Sequence, residues 1–125
     1  MRVHLDTHVA VWLRLGNSRR LRPIAKHLAK AQLMLSPFAV LELQTLYEIG
    51  RLSETARWIV ENLATDHGVE IANVAVAEGA ARAVDLSFTR DPFDRLIAGH
   101  SLAAGATLLT VDETLLRHVP SARWG

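Results

Sequence analysis

"DPFDRLIAGHSLAAGATLLTVD", residues 91–112, holds two aspartates three apart, a helix-like apolar stretch, a glycine and a short apolar strand that ends in another acid. Asp91 followed by Pro92 is a favourable N-cap with proline at the first helical position, so a long helix starts here. Gly105 stops that helix, and "ATLLTV" follows as a strand. The strand is continuously apolar and does not alternate, which is the pattern of a parallel strand covered on both faces.

The same unit recurs along the chain. "MRVHLD" reads as a short buried strand ended by Asp6, and "THVAVWLRLG" as a brief helix stopping near Gly16. "RPIAKHLAKAQ" is expected as one helix with Pro23 in its first turn, ahead of the strand "LMLS". Ser36 and Pro37 supply an N-cap and first residue for "PFAVLELQTLYEI", which Gly50 closes. Ser53 is expected to cap a further helix to about Thr65. "VEIAN" then reads as a strand, "VAVAEGAARAVDL" as a helix, and "SARW" as a short edge strand. Alternating strands and helices predict a three-layer α/β/α sandwich with a central, mostly parallel sheet, and residues 1–125 are expected to form a single domain.

Composition narrows the class. The chain has no cysteine, which excludes a disulfide scaffold and thiolate metal sites and suits a reducing cytosol. No apolar run approaches a membrane span and no secretion signal stands at the N-terminus, so a cytoplasmic location is expected. The net charge of +1 hides an asymmetry. Between Thr7 and Leu41 there are six bases (Arg14, Arg19, Arg20, Arg22, Lys26 and Lys30) and no acid. Residues 42–125 carry twelve acids against seven bases. Such a division suits a surface that attracts phosphates beside a spot that holds cations, although a solvated helix face explains the bases equally well.

In an open parallel sheet, ligands bind beyond the carboxyl ends of the strands, and Asp6 and Asp112 both stand at such ends. Each could also be an ordinary cap for the helix that follows. Glu42 shares a helical stripe with Phe38, Leu41, Thr45, Leu46 and Ile49, so it is expected to face the core, where a carboxylate needs a partner such as Arg95 or a metal. The other face, Val40, Leu43 and Tyr47, is apolar too and calls for a second contact. Asp91 is read as the cap and Asp94, in the first turn, as the ligand, with Asp91 kept as the alternative. Two carboxylates about 4 Å apart repel by roughly 4 kcal/mol. Four in one cleft therefore need protons or cations, and an all-oxygen ligand set favours Mg²⁺ or Mn²⁺. The six histidines are read as unpaired and either structural or exposed, with His8, two residues past Asp6, the one of interest. Thr110 could hydrogen-bond an acid or a metal-bound water, and Trp12, Trp58 and Trp124 read as core or interface aromatics.

"LDTHVAVWL", "SPFAVLEL", "DPFDRLIAGHSLAAGATLLTVDETLL" and the terminal "ARW" together resemble the PIN domain, and specifically the short VapC-type toxins of bacterial toxin–antitoxin pairs. The order of acids matches, with Asp6 ending the first strand, Glu42 in the helix after a serine, Asp94 in "FDRLIAG" and Asp112 in "LLTVD". The resemblance implies a metal-dependent endoribonuclease that leaves 5′-phosphate and 3′-hydroxyl ends. It also implies a homodimer restrained by a partner antitoxin. On that basis Asp6, Glu42, Asp94 and Asp112 would be the catalytic and metal-holding residues, with Thr7, Thr110 and Asp91 in support. Arg14, Arg19, Arg20 and Arg22 are candidates for RNA phosphates. Many PIN domains have asparagine where this chain has His8. A non-cleaving PIN-like module that binds RNA or protein is the rival from another class, and the presence of all four acids speaks against it. A phosphoacceptor receiver domain needs an acid pair ending its first strand and a lysine after its last; Leu5 precedes Asp6 and no lysine follows Lys30.

Overall fold

Capped helices alternate with apolar strands in the order β1 (Arg2–Leu5), α1 (Thr7–Leu15), α2 (Ser18–Leu21), α3 (Ala25–Lys30), β2 (Gln32–Leu35), α4 (Pro37–Glu48), α5 (Ala56–His67), β3 (Glu70–Ile71), α6 (Val76–Val84), α7 (Pro92–Ala103), β4 (Thr107–Leu109), α8 (Glu113–His118) and β5 (Ala122–Arg123). This is a computed structural model, and it describes residues 1–125. The strands form one sheet in the order β3-β2-β1-β4-β5, and every pairing is parallel. The sheet is thus wholly rather than mostly parallel. Parallel connections are right-handed as a rule, and with this strand order the rule puts α1–α5 on one face and α6–α8 on the other. Crossover direction therefore reverses between the neighbours β1 and β4, and the crevice beyond their carboxyl ends is where such sheets bind ligands.

Burial explains the unbroken apolar strands. Val3, Leu5, Leu33, Leu35, Leu108 and Leu109 are buried in one core with Val9, Leu43, Leu63 and Ile97 from the helices. Each such side chain contributes about 1.5–3 kcal/mol relative to exposure. No helix is long and apolar enough to cross a membrane.

Four local expectations are corrected. The basic segment does not form one helix: a 3-10 turn over Arg22–Ile24, containing Pro23, separates α2 from α3. Thr55 rather than Ser53 caps α5, accepting from the Trp58 amide at 3.3 Å. "ETLLRH", not expected as helical, forms α8 because Asp112 accepts from the Thr114 and Leu115 amides. Finally, the core-facing residues of α4 are Ala39 and Leu43, both fully buried, whereas Leu41 and Ile49 are 53% and 61% exposed. A helix apolar on most of its surface offers two plausible stripes, and spacing alone does not choose between them.

Candidate metal centre

Asp6 is placed by the β1–α1 junction, where its extended backbone (φ −67°, ψ 156°) makes it the N-cap of α1. Its carboxylate is buried, with Oδ1 accepting from the Thr7 amide at 2.9 Å and Oδ2 from the Thr110 hydroxyl at 2.6 Å. The same two threonines reach the neighbouring acids. Thr7 Oγ1 donates to Glu42 Oε1 at 2.5 Å, and Thr110 Oγ1 accepts from the Asp112 amide at 3.0 Å. Asp6 is thereby tied to Glu42 on α4 and to Asp112 at the head of α8. Parallel pairing of Leu5 with Leu109 sets the β1 and β4 ends side by side.

On α7, Asp91 is the cap: its Oδ1 accepts from the Phe93 amide at 2.9 Å and the Asp94 amide at 3.3 Å. Asp94 lies in the first helical turn, half-buried, and donates or accepts no side-chain hydrogen bond. The amino ends of α1, α7 and α8 thus gather around the acids, and their positive dipole ends offset part of the negative charge.

Electrostatics show that the acids share a site. Burial first, and then the charges of Asp91, Asp6, Asp112 and Glu42, push the Asp94 carboxyl up to about 7. The Asp6 carboxyl is also raised, chiefly by burial and further by Asp112, against the lowering effect of its Thr110 and Thr7 hydrogen bonds and of His8. Glu42 is raised by burial and by Asp6 and Asp91, while its Thr7 hydrogen bond and His8 act in the opposite sense. The partner considered for Glu42, Arg95, is elsewhere: it donates to the Ala83, Val84 and Thr89 carbonyls and so closes the end of α6. The chain's single ion pair is Arg14–Glu54 at 2.9 Å. Four acids therefore converge with no arginine or lysine among them.

The donors suit a hard cation, since the four acids and the two threonines beside them offer oxygen. No three Asp, Glu, His or Cys side chains are drawn together tightly enough to hold an ion by themselves. An ion held here would therefore have to keep several of its waters, with one or two carboxylates as direct ligands. A groove of about 770 Å³ between α4 and α5, lined by Val40, Leu41, Val60 and Ile71, includes none of the four site acids. Its size reflects apolar surface, and the charge pattern marks the chemistry instead.

The remaining sequence candidates divide. Arg14 is bound bidentately by Glu54 through Nε and an Nη, so it is not free for a phosphate. Arg19 and Arg20 are exposed and, with Asn17, line a separate polar hollow, where Arg20 stacks 5.0 Å above Trp12; Arg22 is exposed. Trp12 packs edge-on to Trp124 at 5.9 Å, but Trp58 is 52% exposed and is no core residue. His4 and His8 stand four apart, yet the strand-to-helix boundary at Asp6 leaves His4 buried and His8 exposed. The sequence reading missed the division of labour at Thr7, whose amide and hydroxyl serve two different acids, because Glu42 is far away in the chain.

Comparison with known proteins agrees with this architecture. No curated protein matches the chain in sequence. Among solved structures, VapBC2 from Rickettsia felis, bound to a DNA fragment from its promoter, superposes with a TM-score of 0.72 at 19% identity, covering 98% of this chain and 96% of that one. DNA-bound VapBC from Salmonella typhimurium gives 0.68 at 18% identity, over 98% and 96% of the two chains. VapBC-1 from nontypeable Haemophilus influenzae gives 0.65 at 20%, over 100% and 97%. At these identities the likeness is one of fold. The PIN domain model matches residues 3–120, and the chain belongs to the PIN domain family.

Proposed function

We propose that this protein is a Mg²⁺- or Mn²⁺-dependent endoribonuclease and the toxin of a toxin–antitoxin pair. The observation that carries the reading is the group of acids around half-buried Asp94, whose carboxyl is raised by burial first and then by its acidic neighbours, with no arginine or lysine paired to it. Such repulsion in a partly buried site costs stability that a bound cation would relieve. Asp6, Glu42, Asp94 and Asp112 would hold the ion, with Asp91 beside them as the cap that fixes Asp94. When bound, the ion supplies a Lewis acid for a phosphodiester oxygen and lowers the pKa of an attacking water. Thr7 and Thr110 keep the carboxylates in place, so the site needs little rearrangement to receive the ion. Exposed Arg19, Arg20 and Arg22 would draw the RNA backbone to the molecule.

Membership of the PIN family and the fold shared with VapBC proteins support a toxin role and a protein antitoxin as partner, and the proposal includes a homodimer. The test incubates purified protein with structured RNA in Mg²⁺ and in EDTA, alongside Asp94→Asn and Asp91→Asn. Cleavage in Mg²⁺ alone, lost in Asp94→Asn and retained in Asp91→Asn, is the expected pattern. Cleavage that persists in EDTA or in Asp94→Asn would refute the metal-centre assignment, and binding without cleavage would identify a non-cutting module.

A further inference from the structure

His100 is a fully buried imidazole that the acids do not touch. It lies on α7 six residues beyond Asp94, and its Nδ1 is 2.7 Å from Ser36 Oγ. Ser36 is the N-cap of α4, and its Oγ already accepts from the Phe38 amide at 3.1 Å. The hydroxyl keeps one lone pair and its proton for the ring, so the bond forms with either tautomer of His100. The ring also packs on Phe38, with centroids 5.3 Å apart, and fills the space over Gly79 of α6, where a Cβ would collide with it.

Two further facts give this contact a task beyond filling space. Nε2 is buried without a partner, a desolvation cost that a leucine of similar volume would not incur. The Ser36–His100 bond is also the side-chain hydrogen bond that joins the start of α4 to α7. Those two helices carry Glu42, six residues after Ser36, and Asp94, six before His100. The geometry points to Ser36 and His100 as a positioning pair: their bond locks α4 against α7 and so sets the spacing between the Glu42 and Asp94 carboxylates. The inference rests on the reading of those acids as a metal centre.

The test follows Mn²⁺ binding to the full chain by its electron paramagnetic resonance signal, with the thermal midpoint of each metal-free protein measured in parallel. His100→Leu removes the imidazole partner at similar volume. Ser36→Gly removes the hydroxyl partner while keeping a tolerated cap. Each variant is expected to bind Mn²⁺ about tenfold more weakly. The double variant is expected to bind no more weakly than the weaker single one, because both changes delete the same bond. If His100→Leu does not fold, Ser36→Gly carries the comparison. Variants with a lowered midpoint and unchanged Mn²⁺ affinity would show an ordinary packing contact and overturn the inference. A wild-type protein that does not bind Mn²⁺ overturns the metal centre itself, and with it this inference, before any variant is made.

Discussion

Two threonine hydroxyls hold three of the four acids, and each belongs to a residue adjacent or near to an acid in sequence. Thr110 donates to Asp6 Oδ2 and accepts from the Asp112 amide, so Thr110→Val removes a donor and an acceptor at once from a buried site. It should lower stability by about 1–3 kcal/mol in urea unfolding. An unchanged midpoint would mean that water replaces the hydroxyl without cost. Asp6→Asn keeps the shape and the Thr7 amide contact while removing charge, so it should abolish Mg²⁺-dependent cleavage with the circular dichroism spectrum intact. Asp6, Asp91 and Asp112 were legible in the sequence because an acid next to a strand end or a proline has a local reason to be there. Glu42 was legible for a mistaken reason. The stripe it shares with Leu41 and Ile49 does not face the core, since both are exposed; what holds it is the Thr7 hydroxyl from another element.

At the scale of elements, α6 and α7 pack closely enough that Gly79 and Gly99 have no room for a side chain. A Cβ on Gly99 would strike the Gly79 carbonyl oxygen and lie 3.1 Å from the Ala83 nitrogen, and backbone atoms cannot rotate aside. Gly99→Ala should therefore destabilise by about 1–3 kcal/mol, although alanine is worth up to about 1 kcal/mol more than glycine in an open helix. Chemical denaturation decides the sign, and a stabilised variant would show that the two helices can move apart. Helix starts at Ser36 and Asp91 were readable because proline follows each cap. The start of α5 was not, since Ser53 and Thr55 are both good caps, and Thr55 is the one whose backbone (φ −69°, ψ 158°) turns the chain into the helix. The short α8 has no clear signature in the sequence because six residues carry too little periodicity.

For the molecule as a whole, the acid cluster makes stability depend on pH. The Asp94 carboxyl stands at about 7 when folded against 3.8 otherwise, so the folded chain holds the proton more tightly. Its penalty is absent below the lower value, grows as pH rises through the interval, and is complete above the higher one. Buried His4, lowered to about 4 by burial and then by His100, works in the opposite sense over much of the same range. Asp94→Asn should isolate the acid's share, because the His4 contribution is common to both proteins. In metal-free buffer the variant should match wild type near pH 4 and melt at a higher temperature near pH 8. Saturating Mg²⁺ should then raise the wild-type midpoint and narrow the gap, since an ion that binds only the folded state stabilises it. Equal midpoints at both pH values would mean that Asp94 does not feel the other acids.

The alternation of unbroken apolar strands with capped helices was enough to determine a parallel sheet covered on both faces, and with it the end of the sheet where acids matter. Periods, caps and breakers are local properties, carried by residues within a turn or two of one another. Which stripe of α4 faces inward, that Arg14 is committed to Glu54, and that Ser36 meets His100 across 64 residues were decided only by tertiary structure. Those facts depend on contacts between elements distant in the chain, and nothing in the neighbouring residues records them.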